Sequence, residues 1–159
     1  DKAENWFEWG KYLPNNDKQR MFDFVKKLIA FRKSHTYAFA PASYTDGAAG
    51  FAWKDPGNND MTNWSSRAIM LHYWDTARGP ELAILINMDA ANEISFTLPE
   101  GRNWARVVDT QLWFDQQSYL EGEGLDLKTS ANIWLEEPLV IPDASYGVKS
   151  RTIVILEAL

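Results

Sequence analysis

The chain has 159 residues, 14% of them aromatic with eight Trp, and a formal net charge of −6 at pH 7. That balance argues against nucleic-acid or anionic-membrane partners, which need a basic patch. No apolar run reaches the 18 residues of a membrane span, and the absence of cysteine excludes disulfides and thiolate metal sites.

The first residues carry an aromatic cluster, Trp6, Phe7, Trp9 and Tyr12. Asn16 or Asp17 can then cap a helix running to about Lys33. From Met21 to Phe31 eight of eleven residues are apolar, with Asp23, Lys26 and Lys27 on a narrow polar face. A surface helix needs an apolar stripe of about 100°, and this one is greasy over roughly twice that arc. It therefore expects neighbours on two sides. The densest basic cluster, Lys26, Lys27, Arg32 and Lys33, lies on this helix and is too small for a nucleic-acid footprint.

Beyond "SHTYAFAPAS" the period changes from helical to alternating. Ala49–Lys54 is a short strand, and Asp55–Asp60 ("DPGNND") a turn. Arg67–Asp75 and Glu81–Asp89 are apolar on both faces, which suits central strands. Glu93–Pro99 alternates Ile94, Phe96 and Leu98 against Ser95 and Thr97, the pattern of a strand with one wet face. Trp104–Thr110 and Arg151–Leu159 follow as strands. Gln111–Asp143 reads as a long excursion with short strands. This spacing of short strands and turns predicts a mainly β protein, an antiparallel sandwich behind one helix. A boundary falls near residue 36. It separates 1–36, helical material with two-sided burial, from 37–159, a β-domain.

Catalytic patterns are poorly represented. His35 sits at the helix end and His72 inside a strand, and no Ser lies in a G-x-S-x-G elbow. Both His read as structural. Asp55, Asn58, Asn59 and Asp60 cluster oxygens of the kind calcium takes, but without EF-hand spacing they read as a solvated turn. Acidic residues sit mainly in turns and at strand ends, where nothing raises a pKa for acid catalysis of glycoside hydrolysis. No catalytic residue, metal or cofactor is expected in this chain. The tryptophans are more informative, because sugars stack on flat rings flanked by polar groups. Trp64, in the polar loop "NDMTNWSS", and Trp113, after a strand, are the candidate contacts. Trp53 and Trp104 alternate with small or polar residues and are expected in the core.

Two motifs give the opening stretch a family likeness. "NWFEW" and "LIAFRKSH" resemble the end of the catalytic barrel in α-amylase-type glycoside hydrolases (family 13), nearest to isoamylase and glycogen debranching enzymes. Asn5, Trp6, Glu8 and Trp9 match an Asn/Ser-Trp-x-Asp/Glu-Trp motif after the last barrel strand. Leu28, Ile29, Phe31, Arg32, Lys33 and His35 match the end of the last barrel helix, although Thr36 stands where that family commonly has Pro. "LAILINMDAANEISFTLP" resembles the family's C-terminal sandwich, with its turn at Asn87 and its Leu98-Pro99 end. "WARVVDT" (Trp104, Val107, Val108, Asp109, Thr110) and the closing strand pair "YGVKSRTIVIL" (Tyr146, Val148, Arg151) follow in the same order.

The resemblance implies a Greek-key β-sandwich of the C-terminal type, preceded by one helix left over from a (β/α)8 barrel. It places the catalytic carboxylates on earlier barrel strands, so the chain should be inactive alone; one helix cannot make such a barrel. It makes the barrel of the same polypeptide the expected partner, with α-glucan as the ligand class. Met21, Phe24, Val25, Leu28 and Phe31 become the barrel-docking face of the helix, which in the isolated chain would be exposed or buried in a dimer. Trp6 and Trp9 join Trp64 and Trp113 as candidate glucan contacts. The alternative is an autonomous starch-binding module using Trp64 and Trp113.

Overall fold

The computed structural model describes residues 16–39, 49–75, 79–110 and 134–159. Among the described residues two helices, α1 (Asn16–Ser34) and α2 (Thr36–Phe39), precede eight strands. The strands are β1 (Ala49–Lys54), β2 (Ala68–Asp75), β3 (Leu82–Asn87), β4 (Ile94–Thr97), β5 (Trp104–Asp109), β6 (Trp134–Ile141), β7 (Ser145–Val148) and β8 (Thr152–Ala158). The expected strands are all present, within a residue or two of their predicted ends.

Every pairing is antiparallel. Six strands form one sheet in the order β1-β2-β3-β8-β5-β6, and β4 pairs with β7 in a second. β8 returns from the end of the sequence to lie between β3 and β5, the long-range return of an antiparallel sandwich. β2 and β3 are central, as their two-sided hydrophobicity predicted. β7 and β8 are joined by a turn with Arg151 in the left-handed region (φ 55°), yet they pair in different sheets.

Alternation along the strands divides the core in two. Met70, Leu85, Val154 and Leu156 of the large sheet meet Phe96 and Val148 of the small one. Their neighbours on the opposite face, Leu82 and Ile155, meet Phe31 of α1 and Ala38 of α2, with Phe24, Phe39 and Tyr73 packed around them. The large sheet thus lies between the helices and the small sheet.

α1 begins at Asn16 and ends with Arg32 and Lys33 in its last turn, where cations favour the negative end of the helix dipole. Its end is latched to the sheet. The His35 backbone N–H donates to the Phe31 carbonyl at 3.0 Å, and His35 Nε2 lies 3.3 Å from Glu157 Oε1 on β8. Tyr37 donates to the Pro80 carbonyl at 2.7 Å. The sheet supplies one of the two neighbours that the sequence asks of α1. Met21, Phe22, Val25, Leu28 and Ile29 remain exposed.

Candidate functional site

β1 is an edge strand, and β2 pairs with only one of its sides. The chain folds back over the other side through the Asp55–Asp60 turn. Met61 N–H donates to the Trp53 carbonyl at 2.9 Å, and Lys54 Nζ donates to Asp60 Oδ1 at 2.7 Å. Asp55 builds the turn by accepting Asn59 N–H at 2.9 Å, with Asn58 in the left-handed region (φ 64°). That backbone bond, more than any other contact, holds the Asp55 carboxyl below its ordinary range. The Asp55 carboxylate and Asp60 Oδ1, part of the oxygen cluster of a kind calcium takes, are engaged in building the turn. No group of acidic and His side chains suited to a metal ion occurs among the described residues.

The loop then carries Trp64 to Trp53. Ser66 N–H donates to the Asn63 carbonyl at 3.0 Å, and Ser65 N–H to Asn63 Oδ1 at 3.1 Å. The two indoles meet edge to face, with ring centroids 6.3 Å apart and planes at 66°. Trp64 is 67% exposed and Trp53 39%. The expectation that Trp53 is core is therefore corrected. Its face of the sheet is the one the helices cover, but an edge strand lies at the margin of that cover. The sequence signal is that Trp53 stands next to the end of a short strand, beside a Gly- and Asn-rich turn. Trp104 is buried as expected, and its Nε1–H donates to the Pro99 carbonyl at 2.9 Å.

Trp6, Trp9 and Trp113 lie outside the described residues. Of the helix-face candidates, Phe31 is buried and Phe24 half-buried against the chain's own sheet, whereas Met21, Val25 and Leu28 are exposed. The candidates thus form two separate groups: the Trp53–Trp64 corner, where Trp64 gains a partner that sequence reasoning missed, and the outer side of α1.

The charged clusters inside the fold are structural. His72 Nε2 lies 3.0 Å from Glu81 Oε2, and Arg102 Nε donates to Glu81 Oε1 at 2.8 Å. Burial lowers the His72 pKa, with Lys54 and Arg102 adding to it against the pull of Glu81. Between the sheets, Tyr146 O–H donates to Asp109 Oδ2 at 3.0 Å and accepts from Arg106 at 2.8 Å. Burial first, aided by Asp109, pushes the phenol up and keeps it a neutral donor. Asn87 donates to the Val148 and Asn92 carbonyls at 2.9 and 2.8 Å, tying the two sheets together. Positions that carry the family likeness (Asn87, Trp104, Asp109 and Tyr146) thus act as joints of the sandwich.

The chain is 30% identical to the isoamylase of Pseudomonas amyloderamosa over 133 residues, 78% of this chain and 16% of that protein. The isoamylase of Pseudomonas sp. (strain SMP1) matches equally. The chain is a relative of the isoamylases. A Flavobacterium isoamylase matches at 25% identity along 99% of this chain. This isoamylase relative spans about a fifth or less of the length of those proteins. No family profile matches it. No helix among its described residues is long and apolar enough to cross a membrane.

Proposed function

We propose that the chain is the non-catalytic C-terminal domain of an α-glucan glycoside hydrolase of the debranching type, packed on a catalytic barrel in the same polypeptide. In this reading residues 1–36 are the end of that barrel and residues 37–159 the sandwich. The match to isoamylases along most of this chain, but a small share of theirs, carries the reading. The helix supports it. An isolated domain has no use for Met21, Val25, Leu28 and Ile29 in water, whereas a barrel helix needs apolar side chains towards its neighbours. The reaction then belongs to carboxylates in the rest of the polypeptide. The sandwich buttresses the barrel end through α1.

The test is an assay of two proteins on amylopectin, glycogen and pullulan. The complete polypeptide should release reducing ends from at least one of these α-glucans, and the 159-residue chain from none. Hydrolysis by the isolated chain, or none by the complete polypeptide, overturns the proposal. A second reading, an autonomous starch-binding module, is favoured by one observation, the exposed Trp64 set against Trp53.

A further inference from the structure

We propose that Trp53 and Trp64 together form a platform that binds the pyranose rings of an α-glucan strand. The choice of sugar rests on the function proposed above. The platform itself rests on the two rings and their surroundings.

Among the described residues, Trp53 is the one aromatic ring on which Trp64 packs. Two-thirds of its surface faces solvent, yet its loop is pinned by the Met61–Trp53, Ser65–Asn63 and Ser66–Asn63 hydrogen bonds. A large apolar ring held out on an ordered loop loses its hydrophobic gain unless a ligand covers it. The edge-to-face contact with Trp53 fixes its orientation in advance, so little freedom is left to lose on binding. The planes, inclined at 66°, form a corner. An α-linked glucan curves, presenting successive sugar faces at an angle, and a corner receives it better than a flat ring.

The rim favours sugar over protein. Asn59, Asp60, Asn63 and Ser65 are exposed around the rings. Asn59 Nδ2 and Asp60 Oδ1 serve the turn and Asn63 Oδ1 the loop, which leaves the Ser65 hydroxyl, the Asn63 amide N–H groups and the second Asp60 oxygen for sugar hydroxyls. A protein-docking site would instead be centred on apolar groups, as the outer side of α1 is. A neutral polymer is also indifferent to the chain's net charge of −6.

Affinity electrophoresis of the 159-residue chain in native gels containing glycogen or amylopectin tests this. The wild-type chain should be retarded. Trp64→Ala should weaken the apparent affinity about 3- to 10-fold, with an unchanged thermal melt because the ring is exposed. Trp64→Tyr should restore part of the binding. For half-buried Trp53, Trp53→Phe keeps the packing and should still reduce binding. Absence of retardation overturns the proposal. So does retardation that Trp64→Ala leaves intact, or equal retardation by hydroxyethyl cellulose, a β-linked glucan. If Trp64→Ala spares glucan binding but lowers the melting temperature of the complete polypeptide, the rings make a protein contact and the proposal falls. Binding by this chain without hydrolysis by the complete polypeptide removes the hydrolase reading and keeps the platform. Hydrolysis without binding does the reverse.

Discussion

Arg106 and Asp109 stand three residues apart on β5, so regular pleating would point them to opposite faces. The register shifts between Arg106 and Val108, where β5 has one residue more than β8. Both Val107 and Val108 then serve the helix-side core, and Asp109 returns to the side of Arg106, 3.3 Å from it. The bulge thereby assembles the Arg106–Asp109–Tyr146 joint. "WARVVDT" shows Arg106 and Asp109 of this joint but not the extra residue that brings them together. Tyr146→Phe removes a bond from each of the other two members. It should cost about 1–2 kcal/mol in urea unfolding, with glucan binding unchanged.

The two histidines titrate in opposite senses. Burial works against a proton on His35, but its bonds to Glu157 and to the Phe31 carbonyl, with the Glu157 charge, outweigh it and raise the pKa above 6.5. The folded state then holds this proton more tightly than the unfolded chain. The resulting stability is complete below pH 6.5 and is lost as pH rises through the folded value. His72 has a lowered pKa, so its folded form prefers to be neutral, and stability is lost as pH falls from 6.5 through its folded value. Urea midpoints of the wild-type chain should therefore decline on both sides of this range. His35→Gln should abolish the part of the decline above pH 6.5 that the latch supplies and leave the acid side intact. An unchanged alkaline slope in His35→Gln would show that the latch is not the cause.

At the scale of elements, α1 shows what a hydrophobic pattern can and cannot say. Its composition asks for two neighbours, and alternation in β3 and β8 shows which strands have a second apolar face to offer. The sequence does not say which side of α1 the sheet takes. Phe31 and Phe24 take it, leaving Met21, Phe22 and Ile29 outside. Phe31→Ala should cost about 3–4 kcal/mol in chemical denaturation of the isolated chain. Ile29→Ser, at a residue 50% exposed, should stay within about 0.5 kcal/mol. β6 shows the opposite limit. Within an excursion rich in Glu and Gly, "WLEEPLVI" carries two Glu and Pro138, which breaks the strand pattern. The fold admits it because, among the described strands, β6 lies at the sheet edge and pairs only with β5, where a missing N–H is tolerated. Edge position also explains why Trp53 was misread as core.

At the scale of the whole molecule, the outer side of α1 offers a measurement that separates an isolated domain from a part of something larger. Two apolar residues half in water, Met21 and Ile29, gain little by staying apolar in the 159-residue chain. If the proposed barrel covers them, they are core residues of the complete polypeptide, where a buried unpaired charge is severely destabilising. Met21→Lys combined with Ile29→Lys should therefore leave the isolated chain's urea midpoint nearly unchanged. It should also reduce any self-association through this face, read by sedimentation, since charges at an apolar contact oppose it. In the complete polypeptide the same pair should lower the melting temperature by several degrees, as a loss of a few kcal/mol does in a domain of ordinary size. Equal effects in both proteins would mean that nothing further packs on α1, and the helix would then be an exposed strut of the sandwich rather than its joint to a barrel.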